Sequence, residues 1–291
     1  MRTKSWQIAW GVLILFQFFT VTCYGDFDER LDSIPRKGIN YSPYRDGQQP
    51  GGPCPSLTQI REDVQLLSKL GAKAIRTYGL VDCDLGTKML SAAKPFDLKI
   101  ILGMWLNRER KANEREIDKL RELISIHGNI SSVVIGSEVL LRGDLPAEQL
   151  LMYVKRVKSF LSVPVTTAET WSIWAGHDAR YPELSPLVDT IDLVFPNIFP
   201  YWERIEISNA VSHVRNVYRK LQRLYPKKQI IISESGWPSG GLANGPCCSV
   251  ARKSEELYSR PVGDGRQFQQ AVGEQLISVP ALLNSAYSRQ S

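Results

Sequence analysis

In the segment QIIISESGWPSGG, Gln229 to Gly241, an apolar run ends at a carboxylate. Three consecutive isoleucines, Ile230 to Ile232, predict a strand buried on both faces, as in a parallel sheet covered by helices. Because burying an unpaired carboxylate is costly, we expect Glu234 to emerge where the strand ends. Trp237 follows in a Gly-Trp-Pro turn. The stretch therefore predicts a cleft at the end of a buried strand.

Strand-like and helix-like segments alternate along the rest of the chain. Strands are predicted at 38–44, 74–80, 99–106, 131–140, 163–171, 191–202 and 228–237. Helical patterns lie between them at 56–71, 85–94, 113–128, 146–161, 181–188 and 207–225. Such repeats predict an α/β parallel sheet, closed as a (β/α)8 TIM-type barrel or left open and doubly wound. The sequence lacks the glycine motifs of nucleotide-binding open sheets, which favours the barrel.

Composition limits the classes of protein. The 291 residues, 43% of them hydrophobic, suffice for a full core. The net charge of +6 is spread along the chain, and the densest basic stretch, residues 215–228, indicates a solvated helix face. The three histidines are scattered, with neither a His-Glu-x-x-His nor a Cys-x-x-Cys motif. We therefore expect no nucleic-acid partner, no metal and no organic cofactor.

Two carboxylates stand at predicted strand ends, where barrel enzymes place their chemistry. Glu138 ends the fourth strand and Glu234 the seventh. Aromatic and polar residues gather at the other ends: Tyr41, Arg76, Tyr78, Trp105, Trp171, Asn197, Tyr201 and Trp202. Apolar platforms with polar groups suit a carbohydrate groove, and paired carboxylates suit glycosidic bond cleavage. Some of these side chains equally suit a network that orients the glutamates, and Trp237 equally suits a wall of the barrel mouth.

Seven ordered motifs carry a family resemblance. They include GINYSPYRDGQQPGGPCPS, AIRTYGLVDC, GSEVLLRGDL, VTTAETWSIW, FPNIFPYWE and SESGWPSGG. Together they resemble glycoside hydrolase family 17, the β-1,3-glucanases, in its bacterial and fungal cell-wall branch. The resemblance implies a retaining mechanism with Glu138 as acid/base and Glu234 as nucleophile, and a β-glucan substrate. We assign substrate binding to Tyr41, Arg76, Tyr78, Ser137, Trp171, Asn197, Tyr201, Trp202 and Trp237.

The sequence departs from that family at two places. Relatives usually carry Asn immediately before the acid/base, whereas this chain has Ser137, with one hydroxyl in place of an amide. The swap is expected to slow turnover or to alter donor preference. After Gly241 the family's eighth strand is not recognisable. We expect a catalytic barrel domain over residues 26–244, possibly without a normal eighth strand, and a poorly ordered tail over 245–291 with one helix between Gln267 and Tyr287. The alternative for the tail is a strand within residues 275–283, which Pro280 disfavours because it cannot donate a ladder hydrogen bond.

The amino terminus has the order of a secretory signal peptide, which we assign to residues 1–25. Arg2 and Lys4 precede the apolar run IAWGVLILFQFFTV, and small residues then suit cleavage after Gly25. The run is short for a membrane-spanning helix, with an uncleaved anchor as the alternative. We expect a secreted, periplasmic or cell-wall-associated monomer without stable membrane insertion after cleavage.

Export determines how the cysteines are interpreted. Four remain after removal of the signal peptide, an even number in an oxidising compartment. Cys54 follows the first strand and Cys83 the second, so both lie in neighbouring loops, and we predict a disulfide between them. Cys247 and Cys248 are adjacent in sequence, where a mutual bridge is strained, and we expect both to be unpaired.

The sequence therefore predicts an exported glycosidase that hydrolyses β-1,3-linked glucan. Three alternatives remain open at this point. A glucan transglycosylase would use the same glutamates and pass the glycosyl group to a sugar. A non-catalytic glucan-binding protein is favoured by Ser137 and the unusual carboxyl terminus. The third alternative is an inactive truncation product.

Overall fold

The computed structural model describes Leu31, residues 34–35, 38–45 and 47–236, and the backbone of Ile277 and Ser278. The strands are β1 Gly38–Asn40, β2 Ala74–Arg76, β3 Lys99–Met104, β4 Ile130–Ser137, β5 Val165–Thr170, β6 Leu193–Asn197, β7 Gln229–Ile230 and β8 Ile277–Ser278. The helices are α1 Leu57–Lys69, α2 Leu85–Ala93, α3 Arg110–Ile126, α4 Ala147–Lys158, α5 Trp171–Trp174, α6 Ser185–Thr190 and α7 Ile207–Leu224. Short 3-10 turns lie at Asp82–Asp84 and Lys94–Phe96.

All strand pairs are parallel, in the order β7-β6-β5-β4-β3-β2-β1-β8. Helices follow most of the strands, and the sheet curls as a barrel that stays open between β7 and β8 within the described residues. This arrangement confirms the predicted α/β barrel class with an abnormal eighth strand. Right-handed crossovers through helices are the standard means of joining parallel neighbours.

The eighth strand is two residues long and lies beside β1. Gly38 pairs with Ile277, and Ile39 pairs with Ser278. The helix expected between Gln267 and Tyr287 is therefore wrong at these two positions. The physical reason is that β1 leaves an edge of unpaired N–H and C=O groups, which an extended segment satisfies and a helix does not. The rest of the tail and the proposed signal peptide lie outside the described residues.

Two apolar layers surround the sheet, as the near-continuous hydrophobic strands require. On β3, Ile100 and Leu102 pack outward against the helices, while Ile101 packs inward. The inner cluster comprises Ile34, Ala74, Ile101, Val134, Ala168, Leu193, Phe195 and Ile231. The outer layer receives one apolar stripe from each long helix, such as Ile117, Leu120 and Leu123 on α3. Both faces of each strand are thus buried below the carboxyl end of the sheet.

Loops at the carboxyl end are joined covalently. A disulfide links Cys54, after β1, to Cys83, after β2, with Cα atoms 5.4 Å apart. This is the pair selected from the sequence; Cys247 and Cys248 lie outside the described residues. Among the helices that the structure describes, none is both long and apolar enough to span a bilayer.

Candidate active site

A bulge at Gly136 shapes the end of β4. The register between β4 and β5 shifts between Val134 and Ser137. Gly136 has a φ of +77°, and a Cβ atom there would lie 2.4 Å from a methyl group of Val139. The position therefore requires glycine. Because the bulge interrupts the strand's alternation, Ser137 pairs with Ala168 and its hydroxyl reaches the inner network described below.

Glu138 follows the bulge in a strained backbone conformation. Its φ is 55°, in the left-handed region, which costs a non-glycine residue about 1–2 kcal/mol. Its N–H group donates to the carbonyl of Ala168 at 2.7 Å, and its Oε1 accepts from Nδ2 of Asn197 at 2.8 Å. Strain of this kind at a polar strand end is typical of functional positions.

The pKa of Glu138 is raised above its ordinary value. Burial is the largest cause, and the nearby negative charge of Glu234 is the second. The Asn197 hydrogen bond and the positive charges of Arg142 and Arg76 act in the opposite direction. The two predicted catalytic carboxylates share Asn197 as a neighbour, because its amide donates to Glu138 and its backbone is bridged to Glu234.

Glu234 lies on the neighbouring side of this site, beside β6. It forms a parallel bridge with Asn197, and its carbonyl accepts the N–H of Ile198 at 2.9 Å. The residue is 9% exposed. Its Oε1 lies 2.6 Å from Nη1 of Arg76, whose guanidinium therefore compensates the buried negative charge.

Arg76 is the centre of a buried polar network. Nη1 also donates to Oδ1 of Asn40 at 3.2 Å, and Nη2 donates to the hydroxyl of Ser137 at 3.1 Å. The guanidinium lies over the ring of Tyr78, 4.9 Å from its centroid. A planar group with several fixed donors is suited to holding three polar partners from three strands at once.

Asn197 is oriented by Ser233. The Ser233 hydroxyl donates to Oδ1 of Asn197, which leaves the amide nitrogen to face Glu138. Asn40 is fixed in the same manner, because its Nδ2 donates to the Ser233 carbonyl at 2.8 Å. The two glutamates therefore sit in different surroundings, one bound by a neutral amide and the other by a cation. Divergent environments of this kind distinguish the two members of a carboxylate pair chemically.

The other predicted site residues are distributed around this centre. The hydroxyl of Tyr41 donates to Asp63 on α1 at 2.7 Å, so its contact is with the helix layer rather than with the glutamates. Trp171 donates from its indole to Glu203 at 2.8 Å. Tyr201 is 8% exposed and meets Trp202 edge-on, whereas Trp202 is 62% exposed. Trp237 lies outside the described residues.

Sequence reasoning missed the two most buried carboxylates of the described residues. Glu116, on α3, accepts the N–H groups of Leu80, Val81 and Trp105 at 3.0–3.3 Å. Glu169, on β5, is fully buried. Burial raises the pKa of Glu116 to about 7 and that of Glu169 to about 8, against the opposing effect of backbone N–H donors. The sequence signal that could have found them is a charged residue within a mainly apolar pattern, on a helix for Glu116 and on a strand for Glu169.

Sequence reasoning also missed Asn40 and Arg142. The Arg142 guanidinium lies 4.4 Å from the Trp105 ring centroid and donates to the carbonyls of Ser137 and Leu106. It thereby ties the loop after β3 to the loop after β4. Within the described part of the chain, no group of three or more His, Cys, Asp or Glu side chains converges as a metal site.

Several proteins similar to this chain are named glucan 1,3-beta-glucosidases. Glucan 1,3-beta-glucosidase BGL2 of Candida albicans is 28% identical over 72% of this chain and 73% of its own length. Glucan 1,3-beta-glucosidase of Schizosaccharomyces pombe is 26% identical over 71% of this chain and 67% of its own length.

Solved structures agree with the sequence relatives. The glycoside hydrolase family 17 β-1,3-glucanosyltransferase of Rhizomucor miehei superposes with a TM-score of 0.67 and 27% identity, covering 83% of this chain and 85% of its own. An active-site mutant of that enzyme, in complex with laminaritriose, has the same TM-score at 25% identity and covers 85% of this chain and 86% of its own. The resemblance to family 17 found in the sequence is thereby confirmed. The BtgE/BtgC glycoside hydrolase domain model matches residues 38–275, and the chain therefore belongs to this glycoside hydrolase family.

Proposed function

We propose that this chain is an exported enzyme that hydrolyses β-1,3-linked glucan with retention of anomeric configuration. The observation that carries the proposal is the contrast between the two glutamates. Glu234 is paired with the Arg76 cation, and Glu138 faces the neutral amide of Asn197 with a raised pKa. Retention requires an ionised nucleophile and a protonated acid at the same site.

In the first step, Glu138 donates its proton to the glycosidic oxygen as the bond to the anomeric carbon breaks. The Glu234 carboxylate attacks that carbon and forms a covalent glycosyl-enzyme. Arg76 holds the Glu234 carboxylate before the attack. The Asn197 amide can accommodate both states of Glu138, because it donates to an oxygen that accepts in either protonation state.

In the second step, Glu138 acts as a base. It takes a proton from water, the hydroxyl attacks the anomeric carbon, and the Glu234 carboxylate leaves. Two inversions at one carbon give net retention. Both carboxyl groups must then flank one glycosidic bond at the separation of about 5–5.5 Å expected for retaining enzymes.

β-Glucan is the proposed substrate for two reasons. Several relatives are named glucan 1,3-beta-glucosidases, and an aromatic surface adjoins the site. Trp202 is 62% exposed in the loop after β6, and its ring is set edge-on against Tyr201 at 5.0 Å. A large exposed indole is an apolar platform for a sugar face. Export is supported by the signal-like residues 1–25 and by the Cys54–Cys83 disulfide, which suits an oxidising compartment.

Transfer to a sugar acceptor is the second candidate function. It is favoured by the R. miehei structure, which is named a glucanosyltransferase. Incubation of purified protein with laminarin, followed by sizing of the products, separates the possibilities. Shorter reducing products indicate hydrolysis and longer products indicate transfer. Binding to laminarin without any product would contradict both.

A further inference from the structure

The turn after Glu138 is held by side chains that belong to the next β/α unit. Glu169 on β5 accepts the N–H of Leu140 with Oε1 at 2.9 Å and the N–H of Leu141 with Oε2 at 3.3 Å. Glu169 is fully buried, and both of its carboxyl oxygens are engaged by this turn. The residue is therefore directed at the backbone of the turn and not at a ligand.

The carbonyl groups of the same two residues are also bonded by side chains from beyond β5. The Tyr181 hydroxyl donates to the Leu140 carbonyl at 2.9 Å. The Arg180 guanidinium donates to the Leu141 carbonyl at 3.3 Å. Each amide and carbonyl of Leu140 and Leu141 thus has a side-chain partner from one neighbouring segment, and the Leu140 carbonyl also accepts the N–H of Gly143 at 3.0 Å. Loops ordinarily satisfy such groups with water or with their own backbone.

The side-chain hydrogen bonds to Leu140 and Leu141, which we call the clasp, follow directly after a residue with a left-handed backbone. Glu138 has a φ of 55°, and its carbonyl accepts the N–H of Arg142 at 2.9 Å across the turn. A non-glycine residue persists in this region only where its surroundings determine the backbone. On its other side, the Glu138 N–H is fixed to the carbonyl of Ala168, the residue before Glu169. β5 therefore holds Glu138 on both sides in sequence.

We propose that Glu169 is a positioning residue that holds the acid/base Glu138 in place by accepting the amide N–H groups two and three residues beyond it. This inference rests on the proposed role of Glu138. The Glu169 carboxyl group presents one oxygen with lone pairs to each of the two converging N–H donors, in either protonation state. Glutamine offers one acceptor and turns an NH2 group toward the second donor.

The experiment compares Glu169→Gln with wild type on two substrates. On a laminari-oligosaccharide, whose leaving oxygen needs a proton, kcat should fall about 10- to 100-fold while KM changes less than about threefold. On a dinitrophenyl β-laminaribioside, the leaving phenolate needs no proton. Azide should then accelerate turnover by Glu169→Gln and yield a β-glycosyl azide, because the azide anion attacks the glycosyl-enzyme and releases Glu234 without a base.

Two further variants make the result specific. Glu138→Ala is the positive control and should show the same azide rescue more strongly. Glu116→Gln is the matched control, because Glu116 is also a buried carboxylate that accepts backbone N–H groups, but from loops that do not carry Glu138. It should show no azide rescue. Should Glu169→Gln fail to fold, as judged by circular dichroism, Tyr181→Phe removes a single bond to the turn and should show the same pattern at about 3- to 10-fold.

The outcomes separate the two levels of inference. If azide rescues Glu138→Ala, two results for Glu169→Gln overturn the positioning role alone. One is a wild-type kcat, and the other is a loss of kcat without azide rescue. The same holds for a folded Tyr181→Phe variant without the pattern when Glu169→Gln does not fold. Absence of rescue in Glu138→Ala refutes the acid/base role and the positioning role with it.

Discussion

Arg76 and Glu234 form a buried ion pair across the curl of the sheet, with Nη1 2.6 Å from Oε1 and the arginine side chain 1% exposed. Removing one partner of such a pair leaves a buried charge without compensation, at a cost of about 3–5 kcal/mol. We therefore expect Arg76→Met to lower the free energy of unfolding by that amount and to abolish turnover. Guanidinium denaturation and a laminarin assay measure the two effects.

The matched control is Arg45→Met. Arg45 pairs with Asp63 at the surface, and its side chain is 54% exposed. Exposed pairs contribute about 0–1 kcal/mol, so this variant should remain near wild type. Equal losses of unfolding free energy in the two variants would show that the buried Arg76–Glu234 pair stabilises the fold no more than the exposed Arg45–Asp63 pair does.

The charge of Glu234 should control the titration of Glu138. Glu234 raises the pKa of Glu138, second only to burial. Glu234→Gln removes this negative charge, so the titration of the Glu138 carboxyl carbon should move to lower pH. NMR of protein labelled with carbon-13 at the glutamate carboxyls measures the shift, with Glu138→Gln to assign the signal. A midpoint that stays unchanged would contradict close approach of the two groups.

Glu116 should make stability depend on pH. Its pKa in the folded state is about 7, raised from an ordinary 4.5, so the native state binds the proton more tightly than the unfolded state does. Stability from this group is therefore greatest below pH 4.5 and is lost as the pH rises through 7. In Glu116→Gln, the fall in unfolding free energy between pH 5 and 7 should be shallower, by roughly 1.4 kcal/mol for each pKa unit of difference removed.

Denaturation at pH 5, 6 and 7 tests this expectation. The control is Glu122→Gln on the same helix, because the Glu122 side chain is 53% exposed and pairs with Lys119. It should keep the wild-type slope. A wild-type slope in Glu116→Gln as well would show that the buried carboxyl does not hold its proton as described.

Reduction of the Cys54–Cys83 disulfide should destabilise the protein. The bond closes a segment with a sequence separation of 29. Opening a loop of this length costs about 3.6 kcal/mol, equivalent to roughly 7–14 °C in melting temperature. Thermal melts with and without a phosphine reductant measure the change. The Cys54→Ser/Cys83→Ser variant should melt like the reduced protein and should not respond further to reductant.

The sheet was predictable because its signals are local. Ile230 to Ile232 and Ile100 to Leu102 are runs typical of a strand buried on both faces, and helix stripes such as Ile117 and Leu120 lie between such runs. The eighth strand was not predictable in the same way. Ile277 and Ser278 take strand geometry from the free edge of β1, which lies more than 200 residues earlier in the sequence.

Within the site, successive strand residues point to opposite faces of the sheet. This alternation decides which of two adjacent residues contacts the Arg76 network. Tyr41 was selected from the sequence, but its hydroxyl bonds Asp63, while Asn40, one residue earlier, joins the Arg76 network. Sequence alone does not set the phase of a three-residue strand. The roles of Glu116 and Glu169 depend on backbone groups 11 to 36 residues away, which no spacing rule identifies.

The clasp on the Glu138 turn has a consequence for recombination among relatives. The turn is encoded after β4, but its partners Glu169 and Tyr181 are encoded in the next β/α unit. A chimera joined between these units would place the turn of one parent against the side chains of the other, and the two would no longer be matched to each other. The smallest exchangeable block for Glu138 therefore spans two units, from Ile130 at the start of β4 to Tyr181, rather than the single β/α unit by which barrels are usually divided.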